Sequence, residues 1–150
     1  MGWIEELRGK TVGMDTAPLI CFIEENPAYI EIVDPFFEAV ERNEFTVVTS
    51  IVTLLEVLVH PVRAGDTKLA QRYRDLLFHS KGLTTISLTQ EIAEEAARLR
   101  GTYRKIRTPD AIHIATAINA NASFFLTNDM SLPSLSNLKI LQLDELKTRQ

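Results

Sequence analysis

Thr108-Pro109-Asp110-Ala111-Ile112-His113-Ile114-Ala115-Thr116-Ala117-Ile118, followed by Ser123-Phe124-Phe125-Leu126-Thr127-Asn128-Asp129, reads as a helix feeding a strand, with an acid at each outer end. Thr108 offers a hydroxyl cap and Pro109 suits the first helical position. The short apolar run Ser123 to Leu126 reads as a fourth strand. The same alternation continues outward in both directions. Upstream, Ile92, Ala96, Leu99 and Tyr103 line one face of a helix, and Leu83 to Ile86 reads as a third strand. Leu69, Tyr73, Leu76 and Leu77 mark an amphipathic helix ending before Gly82. Ile51 to Val59 is apolar on every face, which predicts a buried helix stopped by His60-Pro61. Phe45 to Val48 reads as the second strand and Thr11 to Met14 as the first, with a helix starting over Pro18 to Glu24. Asp34-Pro35 is a helix start within a segment whose apolar positions Ile30, Val33, Phe37 and Val40 recur at helical spacing. Downstream, Leu138 to Leu141 reads as a fifth strand, and the polar tail from about Asp144 is expected to fray. Strands alternating with helices over short connections predict an α/β fold, with a parallel sheet covered on both faces. No repeat, low-complexity segment or linker divides residues 1–150, which read as one domain.

Composition narrows the function. At 150 residues, 45% hydrophobic and 24% charged, the chain has enough apolar material for a core without disulfides. The lone cysteine, Cys21, excludes an internal disulfide and a cysteine-rich zinc site, and reads as a small core residue. The start Met1-Gly2-Trp3-Ile4-Glu5-Glu6 carries acid where a signal peptide needs a basic start and then an apolar run, and no run approaches the ~18 apolar residues of a membrane span. A cytoplasmic location without membrane attachment is therefore expected. The net charge of −4 argues against a general nucleic-acid binder. Yet Arg98, Arg100, Arg104, Lys105 and Arg107 lead directly to Asp110. They read equally well as a grip on a phosphate backbone or as a solvated helix end.

Acids carry the chemistry. Asp15 ends the first strand, Glu56 interrupts Leu54-Leu55-Glu56-Val57-Leu58-Val59, Asp110 opens its helix, and Asp129 follows the fourth strand. Burying isolated carboxylates is costly, so such a set points to a shared counter-charge, most simply a divalent cation. Ligands of open α/β sheets gather outside the carboxyl ends of the strands, where Asp15 and Asp129 fall. A right-handed connection returns the Asp110 end of its helix to the same edge, and Glu56 lies near it. Magnesium or manganese suits carboxylate ligands and activates water for attack on a phosphodiester. Thr127 is placed to orient that water or Asp129. Plainer readings stand beside these: Asp15 as a helix cap, Asp110 as a first-turn acid, Asp129 as a turn residue, and Glu56 paired with an arginine such as Arg63. His113 reads as a packing or hydrogen-bonding residue in preference to a metal ligand. His60 and His79 read as structural or exposed, and Glu24, Glu25, Asp34 and Glu38 as solvated. A G-x-S-x-G nucleophile, a dinucleotide-binding glycine fingerprint and a P-loop are absent. A haloacid-dehalogenase-like phosphatase needs a second acid where Ala17 stands, and a receiver domain needs paired acids where only Asp15 is present.

Taken in order, Met14-Asp15-Thr16, Thr49 to Leu58, Thr108 to Ala117 and Phe125-Leu126-Thr127-Asn128-Asp129 resemble the PIN-domain family, and in size the VapC-type toxins of toxin–antitoxin pairs. That resemblance implies a three-layer α/β/α sandwich around a short, mainly parallel sheet, and a Mg²⁺- or Mn²⁺-dependent endoribonuclease. It carries over Asp15, Glu56, Asp110 and Asp129 as the acidic, metal-holding site, with Thr127 in support. It further implies an RNA substrate, a homodimer and a small antitoxin. A PIN-like module that binds RNA or protein without cleaving is the alternative, and a DNA nuclease is a further one. His60-Pro61-Val62-Arg63-Ala64-Gly65 departs from the short glycine-ended segment common in such toxins, which alters the surface beside the site and leaves the acids untouched.

Overall fold

Short β-branched and aromatic runs form the central sheet. The computed structural model describes residues 2–148. Among these, β1 (Thr11–Met14), β2 (Thr46–Ser50), β3 (Leu83–Ile86), β4 (Phe124–Thr127) and β5 (Lys139–Gln142) lie in the order β3-β2-β1-β4-β5. Every pairing is parallel. Central β1 sets Gly13 opposite Val48 on one side and Phe125 on the other.

Helices cover both faces, as buried parallel strands require. One face receives α1 (Trp3–Glu6), α2 (Thr16–Ile23), α3 (Ile30–Glu41), α4 (Ile51–Ala64), α5 (Thr67–His79) and α8 (Leu143–Thr148). Its core joins Val12, Met14, Val47 and Leu126 of the sheet to Leu19, Phe36, Tyr73 and Leu143. The other receives α6 (Gln90–Thr102) and α7 (Thr108–Asn119), packed on Phe125. The α/β/α sandwich is therefore present. Cys21 is a buried core residue, as its apolar neighbours predict. No helix among the described residues is long and apolar enough to cross a membrane.

Several elements depart from the pattern that the sequence leads one to expect. Asp34-Pro35 does not start α3, which begins at Ile30 and carries Pro35 inside it. Burial of Ile32 and Val33 before the proline, with Phe36 stacked on Trp3 after it, outweighs the one missing backbone bond. Nor does Pro61 stop α4. That helix runs to Ala64 and ends on Gly65 in the left-handed conformation, with Asp66 N–H donating to the Pro61 carbonyl and Gly65 N–H to that of Val62. This is a Schellman ending, which needs φ above zero and so favours glycine. Helix α4 is also not buried all round: Leu55 and Val62 are 66% and 64% exposed, and Val59 is exposed beside them. Thr108 does not cap α7. Arg107 holds the cap position, and the Thr108 hydroxyl instead accepts from Arg100 Nη1 at 2.8 Å. Finally, the tail does not fray from Asp144. Leu143 and Leu146 anchor α8 in the core, while residues 149–150 lie outside the described range.

Candidate active site

Strand order reverses between β1 and β4: β2 and β3 continue on one side and β5 on the other. A crevice opens at such a point outside the carboxyl ends of the strands. Here it is a cavity of about 560 Å³, and Asp15, Glu56, Asp110 and Asp129 all line it. Asp15 follows β1 directly and caps α2, its Oδ1 accepting from Ala17 N–H at 3.3 Å. Cap and site acid are thus one residue. Asp129 comes from the loop after β4, Glu56 from the second turn of α4, and Asp110 from the first turn of α7.

Each carboxylate has its own donor. Asp15 Oδ2 accepts from the Thr127 hydroxyl at 2.5 Å, and Thr127 Oγ1 accepts from Asp129 N–H at 3.0 Å. Thr127 is fully buried, so it ties two acids together and cannot orient a water in the cavity. Asp129 Oδ1 accepts from the backbone N–H and hydroxyl of Ser131, the turn role its sequence allowed. Asp110 Oδ2 accepts from Arg107 Nε at 3.2 Å. Glu56 Oε1 takes hydrogen bonds from Thr16 Oγ1 at 2.5 Å and from His113 Nε2 at 2.8 Å. The plainer alternative of an arginine partner such as Arg63 is not the one taken.

Burial separates the acids electrostatically. It pushes the Asp15 carboxyl up to about 6, against the hydrogen bond from Thr127, and the charge of Asp110 adds to the rise. Glu56 moves the other way: the hydrogen bond from His113 holds it below its ordinary value, with Thr16 and the charge of Arg107 assisting. The burial argument made from sequence therefore applies to Asp15, whereas the Glu56 side chain is 35% exposed.

Among the described residues, no three Asp, Glu, His or Cys side chains stand close enough to grip a metal ion between them. The acids share a cavity while being drawn to separate donors. Their chemistry still fits a hard divalent cation, which keeps several waters and takes only one or two carboxylates. A positive ion would also relieve the ionisation cost at Asp15.

The basic cluster divides by residue. Arg98 pairs with Glu95, and Arg100 donates to the Ile106 carbonyl as well as to Thr108. Arg107 alone of the five lines the cavity, with its side chain 78% exposed. Sequence reasoning did not single out Thr16, Asn128 or Ser131, which also line it. Thr16 had a visible signal in its place directly after Asp15. Glu24, read as solvated, accepts a hydrogen bond from the Tyr73 hydroxyl.

The family model described as PIN domain matches residues 14–138. No curated protein matches the sequence. Among solved structures, one of VapBC2 from Rickettsia felis bound to a DNA fragment from its promoter matches with a TM-score of 0.70 at 18% identity, covering 88% of this chain and 98% of that one. VapC20 of Mycobacterium tuberculosis, described as a sarcin-ricin loop cleaving toxin, gives 0.64 at 16% identity, with coverage of 81% and 91%. A toxin–antitoxin complex from Klebsiella pneumoniae gives 0.63 at 22%, with coverage of 85% and 94%. At these identities the likeness is one of fold.

Proposed function

Since the chain belongs to the PIN domain family, we propose that it is a metal-dependent endoribonuclease and the toxin of a type II toxin–antitoxin pair. The observation that carries this reading is the meeting of Asp15, Glu56, Asp110 and Asp129 in one cavity at the sheet's topological switch point. These acids would hold a Mg²⁺ or Mn²⁺ ion. When bound, it supplies a water activated for attack on a phosphodiester and neutralises charge on the leaving oxygen. Thr127 holds Asp15 and the backbone of Asp129 in place, and Thr16 and His113 hold Glu56. No side-chain nucleophile is required.

Arg107 is the residue suited to meet the RNA backbone, since it is exposed and can exchange Asp110 for a phosphate. Arg107→Gln should weaken RNA binding and flatten its dependence on salt, lowering the slope of log K against log salt by roughly 0.7 to 1. Binding titrations over a salt series in calcium, with cleavage suppressed, measure this. An unchanged slope removes Arg107 from the interface. An antitoxin or a second copy of the chain would find an apolar surface in Leu55, Val59 and Val62 of α4, next to Glu56 in sequence.

The reading is tested by incubating total cellular RNA with purified, partner-free protein in Mn²⁺, in chelator, and beside Asp110→Asn. Discrete fragments from wild type with metal alone are expected. A folded, inhibitor-free protein that binds Mn²⁺ and RNA yet cleaves neither RNA nor a matched DNA strand is a binding module instead. Cleavage of the DNA strand in preference makes it a DNA nuclease.

A further inference from the structure

His113 is 3% exposed on α7, one turn beyond Asp110. Its Nε2 meets Glu56 Oε1 at 2.8 Å, while its Nδ1 is buried with no hydrogen-bond partner. A carboxylate only accepts, so Nε2 donates, and Nδ1 is the ring nitrogen left without a partner. Leaving that atom unpaired costs stability that an apolar side chain of similar size would not incur. Packing alone therefore does not account for an imidazole here, and its one polar contact points to Glu56. Glutamate is long and flexible, and Glu56 is partly solvated on α4. Both of its hydrogen bonds, from His113 and from Thr16, arrive at Oε1, so Oε2 has no protein partner among the described residues.

We propose that His113 is a positioning residue that, with Thr16, clamps one oxygen of Glu56 and keeps the other available to a divalent cation. The proposal rests on Glu56 belonging to the nuclease site described above. Helix α7 would then serve the site twice, with Asp110 as an acid and His113 as the clamp on an acid from α4.

His113→Leu removes the donor and the orphaned nitrogen, whereas His113→Gln keeps an N–H within reach of Glu56. For His113→Leu, Mn²⁺ affinity by calorimetry and kcat for RNA cleavage should each fall 10- to 100-fold, with a melting temperature equal to or above wild type. His113→Gln should recover most of both losses. Wild-type Mn²⁺ affinity and kcat in a folded His113→Leu protein overturn the proposal, as does a His113→Gln protein that is folded yet no better than His113→Leu. A third reading needs no variant at position 113 and no active enzyme. In ¹⁵N-labelled wild type the ring should show its proton on Nε2, and Glu56→Gln should move that signal. An Nε2 without a proton, or a signal indifferent to Glu56→Gln, overturns the clamp. Absence of Mn²⁺ binding and cleavage in wild type would instead count against the nuclease reading, with the ring signal still deciding the clamp.

Discussion

Asp15→Asn should yield a folded protein that cleaves RNA on the order of 10³-fold more slowly than wild type and, without metal, is more stable at pH 8. On the proposed reading the loss would reflect several kcal/mol of charge stabilisation by a cation whose ligand has been neutralised. The gain in stability follows from the position of Asp15 in the fold. Its carboxyl sits at about 6 in the folded state against 3.8 for the free group. Between those values the folded protein holds a proton that the unfolded chain has released, so stability falls as pH rises through this window. Above it the full ionisation cost is present, roughly 3 kcal/mol by linkage. Below about 3.8 both states are protonated and the cost vanishes. Asparagine never ionises, and it can still accept from Ala17 N–H. Urea denaturation of metal-free protein should therefore show Asp15→Asn ahead by about 1–3 kcal/mol at pH 8 and level with wild type near pH 3.5. Equal pH dependence in the two proteins would sink the assignment of Asp15 as a half-buried acid whose ionisation the fold opposes.

Gly13→Ala should destabilise the protein by about 2 kcal/mol or more and impair the site as well. Gly13 lies in extended backbone on the central strand, so the issue is space rather than φ. A methyl group there would overlap the Cβ of Ala117 on α7 and press on Phe125 Cδ1 at 3.0 Å. Strand β1 cannot yield, because it is bonded to β2 and β4 on its two edges. Relief must come from α7 moving off the sheet, which carries Asp110 and His113 away from Asp15. Thermal melts should show a drop of roughly 5 °C, with at least a tenfold loss of cleavage. Adding Ala117→Gly should restore most of both, because it returns the missing volume at the point of contact. Failure of the double variant to recover would mean that the close approach of α7 to β1 is not what Gly13 serves.

The strands, and the acids Asp15 and Asp129 that follow two of them, were legible because their signals are local: short apolar runs, with a carboxylate just past the first and the fourth. What escaped was settled at a distance. Glu56 and His113 lie 57 positions apart, and nothing near either residue announces the other. The continuous apolar run of α4 was misread because composition does not say which side a helix turns to its neighbours; Val57 is buried while Leu55 and Val62 are not. Pro61 and Pro35 were read by backbone preference, which packing overrode in both helices. The tail looked too polar to dock, yet Leu143 and Leu146 suffice to seat it.

The strand order has a consequence for the chain as it leaves the ribosome. β1 is made well before one of its neighbours, β4. Until residues 124–127 emerge, β1 has an unpaired edge, and Asp15 lacks the hydroxyl that holds it from 112 positions downstream. The crevice has one wall missing throughout that interval. A polypeptide that stops short of β4 therefore cannot present the assembled set of acids, and whatever chemistry they perform is withheld from the translation machinery until Asp129 has been made.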